Sequence, residues 1–160
     1  MKGARKMWAM IAVFVSVFLI ACLTADAKER ESWEEYIEEV CERRSICPEL
    51  VEAIVERESS WIPDAQNGDC IGLMQVSERW HRDRIERLGA RDLKDPYDNI
   101  LVGVDYLAEL FEKYEDVGMV LMVYNGDSAA EHYWETGQGL SRYATGILER
   151  SVELEREHGK

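Results

Sequence analysis

Residues 51–61, VEAIVERESSW, place two glutamates two positions apart at the end of an apolar run. A helix turns by about 100° per residue, so Glu56 and Glu58 point in nearly opposite directions and should not act as a pair. On that helical wheel Glu58 falls between Ile54 and Val55, at the centre of the stripe that buries the helix. Glu58 therefore occupies a position where a charged side chain is not expected.

The expected burial of Glu58 has a chemical consequence. Burying an ionised carboxylate without a partner costs several kcal/mol, so burial favours the neutral form and raises the pKa. A carboxylic acid that is still protonated near neutral pH is what a general acid must be. The alternative is a structural role, in which Glu58 binds a buried arginine, tryptophan or backbone group and only holds the fold.

The other acids of this segment lie on the opposite face of the helical wheel. Glu49, Glu52 and Glu56 fall together on the face opposite the apolar stripe, and we expect Glu56 to be solvated. Nothing in the sequence predicts a metal site, because His81 and His132 lack ligand spacing and no His-Glu-x-x-His pattern is present. We expect no metal and no cofactor.

Apolar residues at helical spacing, together with helix-starting and helix-ending residues, divide the chain into helices. The predicted helices cover roughly residues 32–44, 48–60, 77–89, 99–115, 117–126, 128–137 and 140–159. The first begins at a capping box, SWEE, and the nearly all-apolar segment 117–126 is expected to be central. With no convincing alternating strand and no repeat, the pattern predicts an all-α fold, one compact domain of six or seven helices.

The N-terminus has the composition of an export signal. Basic residues within the first six positions precede an almost unbroken apolar run over 7–23, and Ala-Asp-Ala at 25–27 fits a small-x-small cleavage site. Residues 19–22, LIAC, also resemble a bacterial lipobox. A cleaved signal, a lipid anchor and a retained transmembrane anchor all stay open. Each of them places residues 28–160 outside the cytoplasm.

Charge and composition restrict the partners and the domain organisation. A net charge of −13 excludes electrostatic binding to nucleic acid as a default, and it disfavours a basic membrane-surface role. The apolar fraction of 46% and charged fraction of 32% indicate a globular chain. We predict a signal or anchor at 1–27, an N-terminal helix at 28–44 that packs on the domain, and the main domain at 45–160.

Three cysteines lie beyond the export segment, which contains Cys22. An oxidising compartment allows one bond with one thiol left over. Cys47 begins the helix that contains Glu58 and Cys70 immediately precedes a Gly-Leu-Met-Gln segment, so a Cys47–Cys70 disulfide is favoured. The alternative is three reduced, buried thiols. No partner is predicted for Cys41.

Four features follow one another along the chain: Glu-Ser-Ser at 58–60, Gly-Leu-Met-Gln at 72–75, Tyr-Asn at 124–125, and the later Tyr143. In this order and at these separations they resemble the lytic transglycosylases of the soluble type, which share a goose-type lysozyme-like fold. The resemblance covers roughly residues 45–149. Any one of these motifs is weak, but four in order are specific.

The resemblance implies an enzyme that cleaves peptidoglycan. In this family a single glutamate acts first as acid and then as base on the β-1,4 bond between N-acetylmuramic acid and N-acetylglucosamine. The sugar's own 6-hydroxyl attacks and gives a 1,6-anhydro product. This differs from the glycosidase scheme of two flanking carboxylates. On this resemblance Glu58 is the catalytic residue.

The resemblance also implies substrate-binding residues, namely Ser59, Met74, Gln75, Tyr124, Asn125 and Tyr143. Gln75 has both donor and acceptor for an N-acetyl group, and Asn125 is expected to orient such a group. Met74 is expected to pack on a sugar face, although methionine is more often core. Gly72 is expected to let the chain approach the glycan closely.

Two of these residues have a competing structural role. Ser59 could instead satisfy the backbone at the end of its helix. Tyr143 is expected to hydrogen-bond Glu58 and hold its direction, but it could be a core tyrosine. Trp61, Trp80, Tyr133 and Trp134 could offer apolar faces to sugars, and none of them is assigned a role.

Other functions remain open at this point. A true muramidase would use water and a second carboxylate, for which Asp64, Asp69 and Asp127 are the candidates. A non-catalytic wall-binding protein would keep the cleft without turnover, and a purely structural helical domain would bind no glycan. The expected partner is the peptidoglycan strand, with secretion, conjugation or phage assembly machinery as possible further partners. We expect a monomer.

Overall fold

The structure, a computed structural model, describes Thr24 and residues 26–160. The chain divides into two units, residues 1–35 and residues 36–160. Seven helices and three very short strands are found among the described residues. The predicted helical fold is therefore confirmed. The predicted signal or anchor at 1–27 lies almost wholly outside the described residues, and none of the helices described is long and apolar enough to cross a membrane.

The first helix, α1, has a described part that covers residues 26–44 without interruption. Ser32 lies inside this helix, where its hydroxyl donates to the carbonyl of Glu29 at 2.7 Å. Arg30 and Glu34, one turn apart, form an ion pair at 2.7 Å. The predicted capping box at Ser32 is therefore wrong: a serine hydroxyl inside a helix turns back to a preceding carbonyl, and the same residues can resemble a helix start.

Six further helices follow: α2 (Pro48–Ser59), α3 (Glu78–Leu88), α4 (Pro96–Lys113), α5 (Val117–Tyr124), α6 (Ala130–Thr136) and α7 (Arg142–Glu157). Their ends follow capping chemistry. The side chain of Asp95 accepts backbone N–H groups at the start of α4, and Asp116 does so for α5. Gly89 and Gly137 adopt left-handed conformations that end α3 and α6.

A small antiparallel sheet lies between α2 and α3. It consists of β1 (Gln66–Asn67), β2 (Cys70–Ile71) and β3 (Val76–Ser77), in the order β1-β2-β3. The sequence analysis found no strand here. Two-residue strands are too short to show an alternating pattern, so turn residues and backbone pairing define them instead.

The core is built around α5. This helix contacts α4, α6 and α7, while α2 packs against α7. Val120, Leu121 and Met122 are fully buried on α5, so the predicted central position of this apolar helix is confirmed. The apolar stripe of α2 is likewise buried, including Ile54 and Val55.

The face of α2 opposite the apolar stripe is also covered. Glu49 and Glu52 are only 1% and 2% exposed. Lys160 Nζ lies 2.6 Å and His158 Nδ1 3.1 Å from Glu49 Oε1, and His158 Nε2 is 3.8 Å from Glu52 Oε2. Residues that follow α7 fold over this face and cover both acids.

Glu56 was expected to be solvated, and it is only partly so. Its side chain is 26% exposed, and Oε2 lies 2.7 Å from Arg150 Nε on α7. An apolar pattern shows where hydrocarbon is buried, and it does not show where a distant cation covers an acid.

A buried carboxylate connects three helices. Asp105, on α4, is 5% exposed. Its Oδ2 accepts from Arg84 Nε at 2.9 Å and from Arg87 Nη2 at 2.6 Å, both on α3, and Oδ1 accepts from Arg44 at the end of α1. Burial opposes ionisation of Asp105, but the three arginines outweigh it and lower its pKa. This ion-pair network fixes α3 against α4.

The three cysteines of the described residues are free thiols, so the predicted Cys47–Cys70 disulfide is wrong for this structure. Cys47 lies at the start of α2, whereas Cys70 is close enough to Glu58, near the other end of α2, for that charge to raise its pKa. A twelve-residue helix spans about 18 Å, and a disulfide needs Cα atoms within about 7 Å.

Candidate active site

The Gly-Leu-Met-Gln segment is fixed to α4 by Asn99, which is fully buried. Asn99 Nδ2 donates to the carbonyls of Ile71 and Leu93 at 2.8 Å each, and Oδ1 accepts from the Met74 backbone N–H at 2.8 Å. Gly72 has φ +80°, and a Cβ there would lie 2.2 Å from Asn99 Nδ2. Gly72 therefore makes room for Asn99, and the expectation that it lets the chain approach a glycan was wrong.

The Met74 side chain belongs to the core. It is fully buried, and its Sδ atom would lie 2.4 Å from a Cβ built on Gly103 of α4. The prediction that Met74 packs on a sugar face is therefore wrong. Its contribution to the site is a backbone carbonyl, which accepts from the Tyr124 hydroxyl at 2.8 Å.

Gln75 is a half-buried residue with a left-handed backbone, φ 48°. Its Nε2 donates to the carbonyls of Ala65 at 3.1 Å and Gly72 at 3.0 Å. Because both partners are acceptors, they define which end of the amide is nitrogen. Both N–H groups are used, so the Oε1 acceptor is what Gln75 has left to offer a ligand.

Glu58 lies in the last turn of α2 and is half-buried. The Tyr143 hydroxyl, from the first turn of α7, donates to Glu58 Oε1 at 2.5 Å. Burial raises the pKa of Glu58, while the Tyr143 hydrogen bond and the charge of Arg57 oppose this less strongly. The expected hydrogen bond between Glu58 and Tyr143 is present, and no arginine of the described residues forms an ion pair with the carboxylate.

Tyr124 lies next to this acid. Its ring stacks on Tyr106 of α4 with centroids 5.5 Å apart. Burial and then the charge of Glu58 hold the pKa of Tyr124 well above its usual value. The same two causes, with a smaller one from Asp69, raise the pKa of Cys70. Glu58 is therefore close to both Tyr124 and Cys70, and both of these groups are protonated neighbours.

Cys70 and Tyr124 both line an open groove of about 430 Å³. Glu58 does not itself line the groove, but its neighbours Cys70 and Tyr124 do. The groove is lined by Cys70, Gln75, Val76, Ser77, Trp80, His81, Tyr106, Val123, Tyr124, Asn125 and Gly126. The acid thus lies next to two wall residues of a groove that is formed by the sheet, α3, α4 and α5.

Two predicted site residues, Asn125 and Ser59, lie in different environments. Asn125 is exposed, ends α5 and lines the groove with Gln75 and Tyr124. Ser59 is buried, and its hydroxyl donates to the Val55 carbonyl at 3.1 Å. The structure favours the helix-end role for Ser59. Contact of these residues with substrate stays a prediction.

Sequence reasoning missed part of the groove wall. Tyr106 was not considered, and neither Trp80 nor His81 was assigned a role. Trp80 is 75% exposed, and the His81 and Tyr106 rings meet at 4.5 Å across α3 and α4. No pattern within either helix shows that contact, since it depends on how the two helices are placed.

None of the alternative acids Asp64, Asp69 and Asp127 lines the groove. Asp69 lines a separate depression beside Arg79 and Arg82, and Asp127 accepts the Ala129 N–H at 2.9 Å. Among the residues that the structure describes, no carboxylate lines the groove. Over the same residues, no cluster of three or more His, Cys, Asp or Glu is placed to hold a metal ion.

Comparison with known proteins identifies the family of this chain. Residues 35–143 match the transglycosylase SLT domain. The chain belongs to this family. A transglycosylase of Enterobacteria phage PRD1 is 33% identical over 95 residues, which are 59% of this chain and 34% of the phage protein. The chain thus spans about a third of the length of the curated relative that it matches.

Solved structures agree in fold. An inactive mutant of the lytic transglycosylase Slt from Pseudomonas aeruginosa is similar over 78% of this chain and 24% of that chain, with a TM-score of 0.68 and 18% identity. The 70 kDa soluble lytic transglycosylase from Escherichia coli is similar over 79% and 24%, with a TM-score of 0.67 and 17% identity. The fold and family that the sequence resemblance implied are confirmed.

Proposed function

We propose that this SLT domain is an exported lytic transglycosylase that cleaves the β-1,4 bond between N-acetylmuramic acid and N-acetylglucosamine in peptidoglycan. The observation that carries the proposal is Glu58, a half-buried acid with a raised pKa next to Cys70 and Tyr124 of the groove wall. Its partner is the hydroxyl of Tyr143. Such an acid retains a proton toward neutral pH, as a general acid must.

The chemistry requires Glu58 to act twice. Protonated Glu58 gives its proton to the glycosidic oxygen as the bond to the anomeric carbon breaks. The resulting carboxylate then takes the proton of the muramic 6-hydroxyl, whose oxygen forms the new bond to the anomeric carbon. The products are an N-acetylglucosamine end and a 1,6-anhydromuramic end, and Glu58 is again protonated. Tyr143 keeps the carboxylate in one direction through both steps and stabilises its ionised form.

The surroundings of the groove favour this cyclisation over hydrolysis. A hydrolase of the two-carboxylate type needs a second acid to activate water. None of the candidates Asp64, Asp69 and Asp127 lines the groove beside Cys70 and Tyr124, the wall residues next to Glu58. Positive charge that develops at the anomeric carbon needs a nearby dipole, such as the N-acetyl carbonyl. Gln75 and Asn125 both line the groove, and we propose that the Gln75 acceptor and the Asn125 amide orient that group.

The biological setting is part of the proposal. Residues 1–27 have the composition of an export signal or anchor, and peptidoglycan lies outside the cytoplasmic membrane. The relative in phage PRD1 supports a role in phage-related wall opening more than a role in secretion or conjugation. We propose that a monomer acts locally on the glycan strands.

Product analysis tests the proposal. Purified peptidoglycan is digested with the wild type and with Glu58→Gln, and the soluble fragments are analysed by mass spectrometry. We expect anhydromuramic ends from the wild type and no fragments from Glu58→Gln. Glu56→Gln is the matched control two residues away, and we expect it to release anhydro fragments. Hydrated reducing ends would instead show a muramidase, and no product from the wild type would favour a non-catalytic wall-binding protein.

A further inference from the structure

His81 lies in the groove at a break in α3. Its backbone angles, φ −117° and ψ 17°, depart from helical geometry. Its side chain lines the groove beside Trp80 and Tyr106, and the imidazole packs on the Tyr106 ring at 4.5 Å. The ring is therefore held in place, and it has no role in the reaction proposed above.

Arg84 determines how this ring is protonated. Arg84 Nη1 lies 2.6 Å from His81 Nδ1. A guanidinium has only donors and stays charged, so Nδ1 must be the nitrogen that accepts. A neutral imidazole then carries its proton on Nε2. His81 therefore offers the groove one N–H donor without a positive charge.

Arg84 cannot easily leave this position. It is 9% exposed, its Nε donates to Asp105 Oδ2 at 2.9 Å, and its Nη2 pairs with Glu109. The guanidinium also lies over Tyr106 at 5.0 Å. Moving it would leave the buried Asp105 with one cation fewer. The arginine is thus a fixed donor at His81 Nδ1.

The charged groups around His81 agree with a neutral ring. Burial and then the charge of Arg84 lower the pKa of His81, and Glu109 opposes them less strongly. Asp105 faces the cluster from α4 but is shared among three arginines. Tyr106 is a phenol whose own pKa is raised by burial, so it adds no charge near neutral pH.

We propose that His81 is a substrate-binding residue whose Nε2–H donates to an uncharged oxygen of the glycan strand, either a sugar hydroxyl or an N-acetyl carbonyl. Gln75 lines the same groove and has an acceptor left, so together they supply the donor and the acceptor that an N-acetyl group requires. This inference rests on the proposed function, because it takes the glycan strand as the ligand.

The test separates binding from turnover. Chitotetraose, an uncharged N-acetylglucosamine tetramer, is titrated into the full chain carrying Glu58→Gln, and its affinity is compared after adding His81→Phe or His81→Gln. We expect His81→Phe to weaken binding about 10-fold. His81→Gln, whose amide N–H reaches the Nε2 position, should restore most of it. His132→Phe, at an exposed histidine outside the groove, is the matched control and should change nothing.

A spectroscopic arm uses the unsubstituted histidine and does not depend on how the variants fold. Nitrogen-15 NMR of the ring should show the Nε2–H form at and above neutral pH, and its signal should shift when chitotetraose is added. Unchanged affinity in a folded His81→Phe protein, or an unshifted ring signal while the sugar binds, would overturn the inference and leave the proposed function standing. No binding of chitotetraose by the Glu58→Gln parent would count against both.

Discussion

Helix α2 carries buried acids at both of its ends, and the two ends behave differently. Near its start, Glu49 is 1% exposed and contacts Lys160 and His158. Near its end, Glu58 is half-buried and contacts the hydroxyl of Tyr143. Burial favours the neutral form in both cases. Among the described residues, a lysine ion pair is found at Glu49 and none is found at Glu58.

The partners decide the outcome. Burial opposes ionisation of Glu49, yet hydrogen bonds from Lys160, Cys47 and His158 outweigh it and lower its pKa to about 2. At Glu58 burial outweighs the Tyr143 hydrogen bond, and the pKa rises. One acid is fixed as an ion that stabilises the fold, and the other can exchange a proton. Burial of an acid therefore indicates a general acid only when no cation compensates it.

The largest expected effect is on turnover. Replacing Glu58 with glutamine should lower the rate of fragment release by about 100- to 10,000-fold, the usual contribution of a general acid, because the amide has no proton to give. Glu49→Gln should leave the rate unchanged at a temperature where that variant stays folded. The rate is measured as solubilised peptidoglycan. Comparable losses in both variants would show that the two ends do not differ in function.

The next effect is on stability, and it falls on the other end of the helix. Glu49→Gln should lower the free energy of unfolding at pH 7 by roughly 2–3 kcal/mol, since the ion pair with Lys160 and the charge-assisted hydrogen bond with His158 are lost. Urea unfolding measures this. Glu153→Gln, an exposed acid on α7, is the control and should change stability little. An unaltered midpoint in Glu49→Gln would mean that the buried acid is not held as an ion.

The pH dependence of that loss has a definite sign. The folded pKa of Glu49 is lowered from 4.5 to about 2, so its stabilising contribution is present above pH 4.5 and is lost as the pH falls toward 2. The difference between wild type and Glu49→Gln should therefore shrink over this window. A difference that stayed constant down to pH 2 would rule out the ion pair as its source.

A smaller effect is expected at the partner of Glu58. Tyr143→Phe removes a hydrogen bond that favours the ionised carboxylate, so the pKa of Glu58 should rise further and activity should fall by about 10-fold. The limb of the pH–rate profile that reports this acid should move to higher pH. Tyr114→Phe, a tyrosine outside the groove, should leave the profile in place. A Tyr143→Phe profile that overlays the wild type would refute the pairing.

The smallest expected effect is a gain. The folded pKa of Glu58 lies above its ordinary value of 4.5, so its contribution to stability is fully present below pH 4.5 and is lost as the pH rises through the folded pKa. Glu58→Gln should therefore melt slightly above the wild type at pH 7, and the two curves should converge near pH 4. Calorimetry at both pH values decides this, and a lower melting point at pH 7 would contradict it.

Much of the fold could be predicted because helix starts and ends are local. Asp95, Gly89 and Gly137 act within one turn of their own helix, so neighbouring residues identify them. Glu58 could be found because it interrupts an apolar stripe in its own segment. The short strands and the environment of Glu49 could not be found this way, since His158 binds Glu49 from 109 positions along the chain.

The site was predicted only in part for the same reason. Gln75, Tyr124 and Asn125 were found through motifs and do line the groove. Met74 belongs to the same motif but is buried, because a motif does not say which of its side chains faces outward. Tyr106 and His81 belong to no motif, and only the packing of α3 on α4 brings them together.

The contact between Gly72 and Asn99 restricts which substitutions the chain tolerates at these two positions. A side chain at position 72 would collide with the Asn99 amide. A smaller residue at position 99 would leave the carbonyls of Ile71 and Leu93 without their hydrogen-bond donor. Neither position can mutate alone without penalty. Gly72 and Asn99 should therefore either both be retained or change together in related proteins, even where the surface residues of those proteins have diverged.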